Sequence, residues 1–273
     1  MTAPIALFFG TRPQVIKASV LREALAATGP VVAVDTGQHY DYSMHQVHYD
    51  QLGVQAPDAF LGVGSGSHAE QTAAILTACE SWLAAHPVRA AVVIGDTNTT
   101  MACALAAAKR RIPIAHVEAG LRAADRLMAE EINRRVTDAV AHWLFAPCGR
   151  VAAVLRQEHP EAVVAEVGDV AHDVLVRALP QAPAPEAIPG YDAGWRGRFV
   201  YATLHRAELV DVPARLGPVI EALSGSPLPV LLAAHPRTAV ALERLGIGLG
   251  PMVHRIEPVG YLQSLTLTQA AAV

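Results

Sequence analysis

Short runs of continuous apolar residues alternate along this chain with longer Ala- and Leu-rich segments of helical period. The first pattern fits strands covered on both faces, and the second fits the helices that cover them. Strands are expected at Ile5–Phe9, Val31–Asp35, Ala91–Ile94, Ile114–Val117, Trp143–Ala146 and Val163–Val167. A second set is expected at Phe199–Thr203, Val230–Ala233 and Met252–Ile256. Helices between them are expected at Pro13–Ala27, His68–Ala85, Thr97–Arg110, Glu130–His142 and Val212–Leu223. Strand–helix alternation of this kind implies an α/β fold with parallel, doubly covered sheets.

A Pro-rich stretch, Pro180–Gly190, interrupts the alternation. Proline's fixed φ and missing N–H exclude a helix interior or a central strand there, so the stretch reads as linker. The expected organisation is two Rossmann-like domains, residues 1–168 and 169–273. The second holds about three strands, fewer than the ~5–6 of an ordinary sheet. Its last residues, Gln269-Ala-Ala-Ala-Val273, read as a helix end followed by the start of a strand. The second domain is therefore expected to be incomplete, and the chain to stop inside it.

Composition narrows the function classes. The chain has 273 residues, 52% of them hydrophobic, and a formal net charge of -4. It can bury a core, and its charge argues against nucleic acid as a partner. Cys79, Cys103 and Cys148 form no C-x-x-C pair, so neither a disulfide framework nor a zinc site is suggested. His39, His45 and His48 are clustered, but no carboxylate spacing supports a metal site. The N-terminus lacks the cationic region of a signal peptide, and no stretch approaches 18 apolar residues. A cytoplasmic protein with no membrane partner is expected.

The chemistry gathers where strands end. Phe9 leads to Gly10-Thr11-Arg12-Pro13, Ile94 to Gly95-Asp96, and Val117 to Glu118. In the second half, Thr203 leads to His205-Arg206, Ala234 to His235-Pro236-Arg237, and Ile256 to Glu257-Pro258. Open α/β sheets bind ligands at the carboxyl ends of their strands. The first turn lacks the G-x-G-x-x-G of a dinucleotide site. It offers Arg12 instead, whose forked donors match a phosphate. Lys17, one of two lysines in the chain, lies one turn further along the same helix, where it either joins Arg12 or is simply solvated. Asp96 and Glu118 end neighbouring strands, so they should stand close enough to push each other's acidity apart. Asp96 alternatively caps the next helix. Spacing alone assigns Glu130 to an i,i+4 ion pair with Arg134, repeated by Glu131 and Arg135. The adjacent pair His205-Arg206 points to contact with an anion.

Several segments occur in order and carry a resemblance. They are Gly10-Thr-Arg-Pro-Gln, Thr36-Gly-Gln-His-Tyr-Asp41, Gly64-Ser-Gly-Ser-His-Ala-Glu-Gln-Thr72 and Gly95-Asp-Thr-Asn-Thr-Thr100, then His116-Val-Glu-Ala-Gly-Leu-Arg122, Glu130-Glu-Ile-Asn-Arg134, Ala202-Thr-Leu-His-Arg-Ala-Glu208 and His235-Pro-Arg-Thr238. Together they resemble the non-hydrolysing UDP-N-acetylglucosamine 2-epimerases over essentially the whole chain. The resemblance implies a glycosyltransferase-B-like fold with its site between two domains. It implies inversion at sugar C2 by elimination of UDP to a 2-acetamidoglucal and re-addition, with no metal or redox cofactor. By motif position, Asp96, Glu118 and Glu130 are the implied catalytic carboxylates, with His205 in the catalytic set, which reverses the spacing-only reading of Glu130. Arg12, Lys17, Arg134, Arg206, His235 and Arg237 are implied to bind substrate. Val259 and Ser264 match the region that receives uracil.

The sequence also departs from that pattern. Met128-Ala129-Glu130 stands where Met-Pro-Glu is usual, and the family continues past this end with an Asp-Ser-Gly-Gly-type loop. A UDP-sugar substrate and a homodimer are expected. The alternatives are a 2-epimerase of UDP-2,3-diacetamido-glucuronic acid, a hydrolysing epimerase, and an inactive UDP-binding fragment.

Overall fold

The computed structural model describes residues 2–38, 49 and 54–273, which form two compact units, Met1–Leu175 and Val176–Val273. In the first unit the strands are β1 (Ile5–Phe9), β2 (Val31–Asp35), β3 (Ala59–Phe60), β4 (Ala90–Ile94), β5 (Ile114–Val117), β6 (Trp143–Ala146) and β7 (Val163–Glu166). Its helices are α1 (Arg12–Ala26), α2 (His68–Ala85), α3 (Asn98–Lys109), α4 (Ala129–Val140), α5 (Gly149–Glu158) and α6 (Val170–Ala178), the last of which spans the division between the units. In the second unit are β8 (Val200–Leu204), β9 (Val230–Ala234), β10 (Val253–Ile256), α7 (Ala207–Val210), α8 (Pro213–Ser224), α9 (Pro236–Leu245) and α10 (Tyr261–Ala270).

The first unit is built on an all-parallel sheet in the order β3-β2-β1-β4-β5-β6-β7. Its central strands are apolar on both faces because helices cover both: every residue of β1 and of β5 is buried. Phe8, Leu7, Ile94 and Ile114 are fully enclosed. Each such side chain stabilises the fold by about 1.5–3 kcal/mol. Ala102, Cys103, Ala104, Ala106 and Ala107 line the buried side of α3. Their small size lets α2 approach closely, and Cys79 of α2 is buried in the same core. Ser67 and Glu70 form a capping box that starts α2.

The order reverses on either side of β1 and β4, so the loops after these two strands diverge. In the ladder, Ile94 stands opposite Val117. The residues that leave β4 and β5 therefore emerge side by side, and these are Gly95-Asp96 and Glu118.

The second unit has a parallel sheet in the order β10-β9-β8. One face packs against Leu216, Ile220, Ala241 and Leu242. The other packs against Ile188, Phe199, Leu267 and Ala270. The expected Pro-rich linker is thus part of this unit: Ile188 is buried, and Thr266 donates its hydroxyl to the Pro183 carbonyl at 2.7 Å. The prolines exclude regular helix, but single 3₁₀ turns at Leu179–Gln181 and Pro185–Ala187 remain open to them. After α10 the chain is extended, and Ala272 and Val273 bond the backbone of Phe199 and Tyr201. Among the described residues no helix is long and apolar enough to cross a membrane.

Candidate functional site

Four of the expected residues meet at the carboxyl edge of the first sheet. Lys17 reaches from α1 to Glu118, with Nζ at 2.6 and 2.8 Å from its two carboxylate oxygens. Arg134 reaches from α4 to Asp96, which accepts from its Nη2. Each strand-end carboxylate is therefore held by one cation, both ion pairs being partly buried. The reading of Lys17 as a solvated helix residue is thereby replaced. Glu118 also sits in the left-handed backbone region, with φ of 66°. For a residue with a Cβ this costs about 1–2 kcal/mol. Such strain persists where the surroundings enforce it, and it clusters at functional positions.

Asp96 does not cap the next helix. Thr97 does so, its hydroxyl accepting from the Thr100 N–H at 3.3 Å. The spacing-based pairing on α4 divides in two. Glu131, not Glu130, takes the arginines: Arg135 Nε at 2.8 Å and Arg134 Nη1 at 3.4 Å. Burial pushes the Glu131 carboxyl up, but the Ala123 N–H and the two arginines outweigh it and hold it below the ordinary range. The Glu130 side chain, in the first turn of α4, makes no hydrogen bond or ion pair among the described residues. Arg12 is exposed at the start of α1 and is likewise unpaired among them. Asp35 is buried and accepts from the Gly37 N–H at 2.8 Å and the Tyr49 hydroxyl at 2.6 Å, so it shapes its own turn. His39, His45 and His48 lie outside the described residues.

Beneath this edge lies a layer of buried polar side chains, most of them inside the segments that carry the resemblance but without an expected role. Gln14 donates to the Ile94 carbonyl at 2.7 Å, and its own carbonyl receives the Gly10 N–H at 3.0 Å. Asn133 donates to the Asp96 carbonyl at 2.9 Å and to Asn98 Oδ1 at 3.2 Å. Asn98 in turn donates to Gln71 at 2.9 Å, and Gln71 to the Gln38 carbonyl at 2.7 Å. A chain of amides thus ties α4, α3, α2 and the loop after β2 together behind Asp96. One further pair is His116 with Asp138, at 2.7 Å, both fully buried. Burial alone would raise the Asp138 carboxyl. Its bonds to His116 and Arg122, and their charges, hold it low instead. For His116 the signal was a lone polar side chain inside an otherwise apolar run, Ile114-Ala-His-Val117, whereas the amides stand among other polar residues, where nothing in the spacing marks them as buried.

In the second unit, His205 and Arg206 follow β8 and are exposed. His235 caps α9, with Nδ1 accepting from the Arg237 N–H at 3.2 Å. Arg237 lies 4.0 Å from Asp211. Thr238 donates its hydroxyl to the Leu204 carbonyl, which ties the start of α9 to the end of β8. The two His/Arg pairs therefore share one sheet edge. Val259, in the turn after β10, packs against the core of this unit. Ser264, on α10, lies 3.1 Å from the Tyr201 hydroxyl.

Comparison with known proteins places the chain in a family. The family model described as UDP-N-acetylglucosamine 2-epimerase matches residues 24–273. The UDP-2,3-diacetamido-2,3-dideoxy-D-glucuronate 2-epimerase of Pseudomonas aeruginosa is 40% identical, over 98% of this chain and 76% of its own length. Among solved structures, the UDP-GlcNAc 2-epimerase of Methanocaldococcus jannaschii, in complex with UDP-GlcNAc and UDP, is 35% identical with a TM-score of 0.82, over 98% of this chain and 77% of its own. That of Neisseria meningitidis, bound to UDP-GlcNAc, is 25% identical with a TM-score of 0.83, over 98% and 76%. The α/β, glycosyltransferase-B-like class expected from the sequence is the class of these structures. The chain belongs to the UDP-N-acetylglucosamine 2-epimerase family.

Proposed function

We propose that this protein is a non-hydrolysing 2-epimerase of a UDP-linked 2-acetamido sugar, interconverting UDP-N-acetylglucosamine and UDP-N-acetylmannosamine. The observation that carries the reading is the arrangement of Asp96 and Glu118 on adjacent strand ends, each held by a cation, with Glu130 unpaired one turn before Arg134.

Epimerisation at C2 needs a base on one face of the sugar and an acid on the other. A carboxylate of this set takes the C2 proton, and the electron pair forms the C1–C2 double bond. The C1–O bond breaks, and its electrons leave with UDP. The 2-acetamidoglucal then receives a proton on the opposite face of C2, and the phosphate oxygen adds back to C1. Negative charge grows on the diphosphate as C1–O breaks. Preorganised cations stabilise that charge best, and Arg12, Lys17, Arg206 and Arg237 are the cations assigned to it, with His205 and His235 beside them. Val259 and Ser264 are assigned to the uracil.

A second reading changes only the sugar. The identity of 40% to the P. aeruginosa enzyme favours UDP-2,3-diacetamido-2,3-dideoxy-D-glucuronate as substrate. Incubation with each nucleotide sugar, followed by proton NMR, separates the two. Epimer from UDP-N-acetylglucosamine supports the lead, and epimer from the uronate alone moves the assignment. Free N-acetylmannosamine with UDP would mark a hydrolysing enzyme, and no epimer from either sugar would sink the proposal. It extends to a cytoplasmic homodimer, which analytical ultracentrifugation and cell fractionation test.

A further inference from the structure

His116 and Asp138 have no part in the reaction just described, yet they lie directly under it. His116 stands within β5 with no exposed surface. Its Nε2 is 2.8 Å from the Gly95 carbonyl oxygen, and its Nδ1 is 2.7 Å from Asp138 Oδ1. A carbonyl oxygen only accepts, so Nε2 carries hydrogen. Asp138 Oδ2 already accepts from the Gly120 N–H at 3.2 Å and Arg122 Nη1 at 2.8 Å, as an ionised carboxylate does. A carboxylate also only accepts, so Nδ1 carries hydrogen as well. With both nitrogens donating, the ring is an imidazolium bonded at both ends. Arg122, the other cation on Asp138, is matched by Glu158 of α5 at 2.5 Å.

The ring grips the turn that matters. Gly95 precedes Asp96 and has φ of 68°, which a side chain would strain. Its N–H donates to the Val117 carbonyl at 2.9 Å. A Cβ at this position would stand 3.3 Å from Glu118 Oε2. The peptide that carries Asp96 is thus fixed by the β5 backbone on one side and by His116 on the other, against Glu118.

We propose that His116, protonated on both nitrogens and seated on Asp138, is a positioning residue that fixes the Gly95-Asp96 turn and so keeps the Asp96 and Glu118 carboxylates in register. The proposal rests on the reading that these carboxylates carry the proton transfers. A shift of about 1 Å in a reacting group costs on the order of 100-fold in rate. His116→Gln and Asp138→Asn are therefore expected to lower kcat by about 100-fold, with KM changed far less, since substrate contacts are untouched.

The test has two arms. In ¹⁵N-labelled wild type, long-range ¹H–¹⁵N spectra assigned through the backbone and taken in the buffer of the kinetic assay should show both His116 nitrogens protonated, as the two acceptors require. A pyridine-type nitrogen on His116 would overturn the proposal, and this arm needs no variant to fold. In the kinetic arm, a variant with the wild-type melting temperature and unchanged kcat would overturn it. A wild type without epimerase activity refutes the functional reading instead, while the ring signals uphold or overturn the imidazolium independently of turnover.

Discussion

Replacing Gly120 with alanine should destabilise the first unit by an amount that can be worked from its surroundings. Gly120 has φ of 79°, and a Cβ there would stand 2.5 Å from Leu155 Cγ, 2.6 Å from Leu155 Cδ1 and 2.7 Å from Val151 Cγ1. Both neighbours are buried core side chains of α5 and cannot swing into solvent. The left-handed backbone costs an alanine about 1–2 kcal/mol. Forcing a methyl into a filled core costs about 1–3 kcal/mol more. The expected loss is about 2–5 kcal/mol. Gly168→Ala is the control: its φ is 85°, but nothing lies within 4 Å of the added methyl. It should lose only the backbone part, about 1–2 kcal/mol. Urea unfolding followed by tryptophan fluorescence measures both. Trp82 and Trp143 lie in the first unit and Trp195 in the second, so a Trp195→Phe background confines the signal to the first. Gly120→Ala no more destabilised than Gly168→Ala would refute the packing argument.

Three further outcomes follow from the same geometry. Glu130→Gln should leave stability within about 0.5 kcal/mol, because Glu130 has no partner to lose among the described residues. It should still slow epimerisation by about 100-fold or more. Glu131→Gln should do the reverse in emphasis: it leaves two arginines short of a carboxylate and costs about 1–3 kcal/mol on denaturant titration. The third outcome concerns acid. The Asp138 carboxyl is held below the ordinary carboxylate range in the folded chain, so its contribution is complete above the unfolded value, starts to fall there, and is lost as pH falls on through the lower folded value. The stability gap between wild type and Asp138→Asn should accordingly shrink between about pH 5 and pH 3, and a gap constant over that range would contradict the assignment.

The central strands were legible because burial on both faces leaves an uninterrupted apolar run, as in Ile5–Phe9. The two-residue β3 left no such run, and β2 pairs with it only through Val34 and Asp35. The strand-end residues were legible because a parallel sheet sends its loops to one edge. What spacing could not decide was which acid on α4 faces inward. Glu130 and Glu131 each stand four residues before an arginine. Asp96, arriving from β4, takes Arg134, and the buried Glu131 takes Arg135. That outcome depends on the packing of α4 against the sheet, which local periodicity does not contain. His116 and Asp138 were hidden for the same reason: they lie 22 residues apart, and only the β5–α4 packing brings them together.

If the proposed function holds, a carboxylate set at this sheet edge removes and returns the proton on C2 of a UDP-linked sugar. The most direct test is incubation of the purified chain with UDP-N-acetylglucosamine, or with the diacetamido uronate, in D₂O, read by NMR. Deuterium is expected at C2 in both epimers while the sugar stays linked to UDP. An epimer that keeps its original C2 proton, or no exchange and no epimer from either sugar, would contradict it.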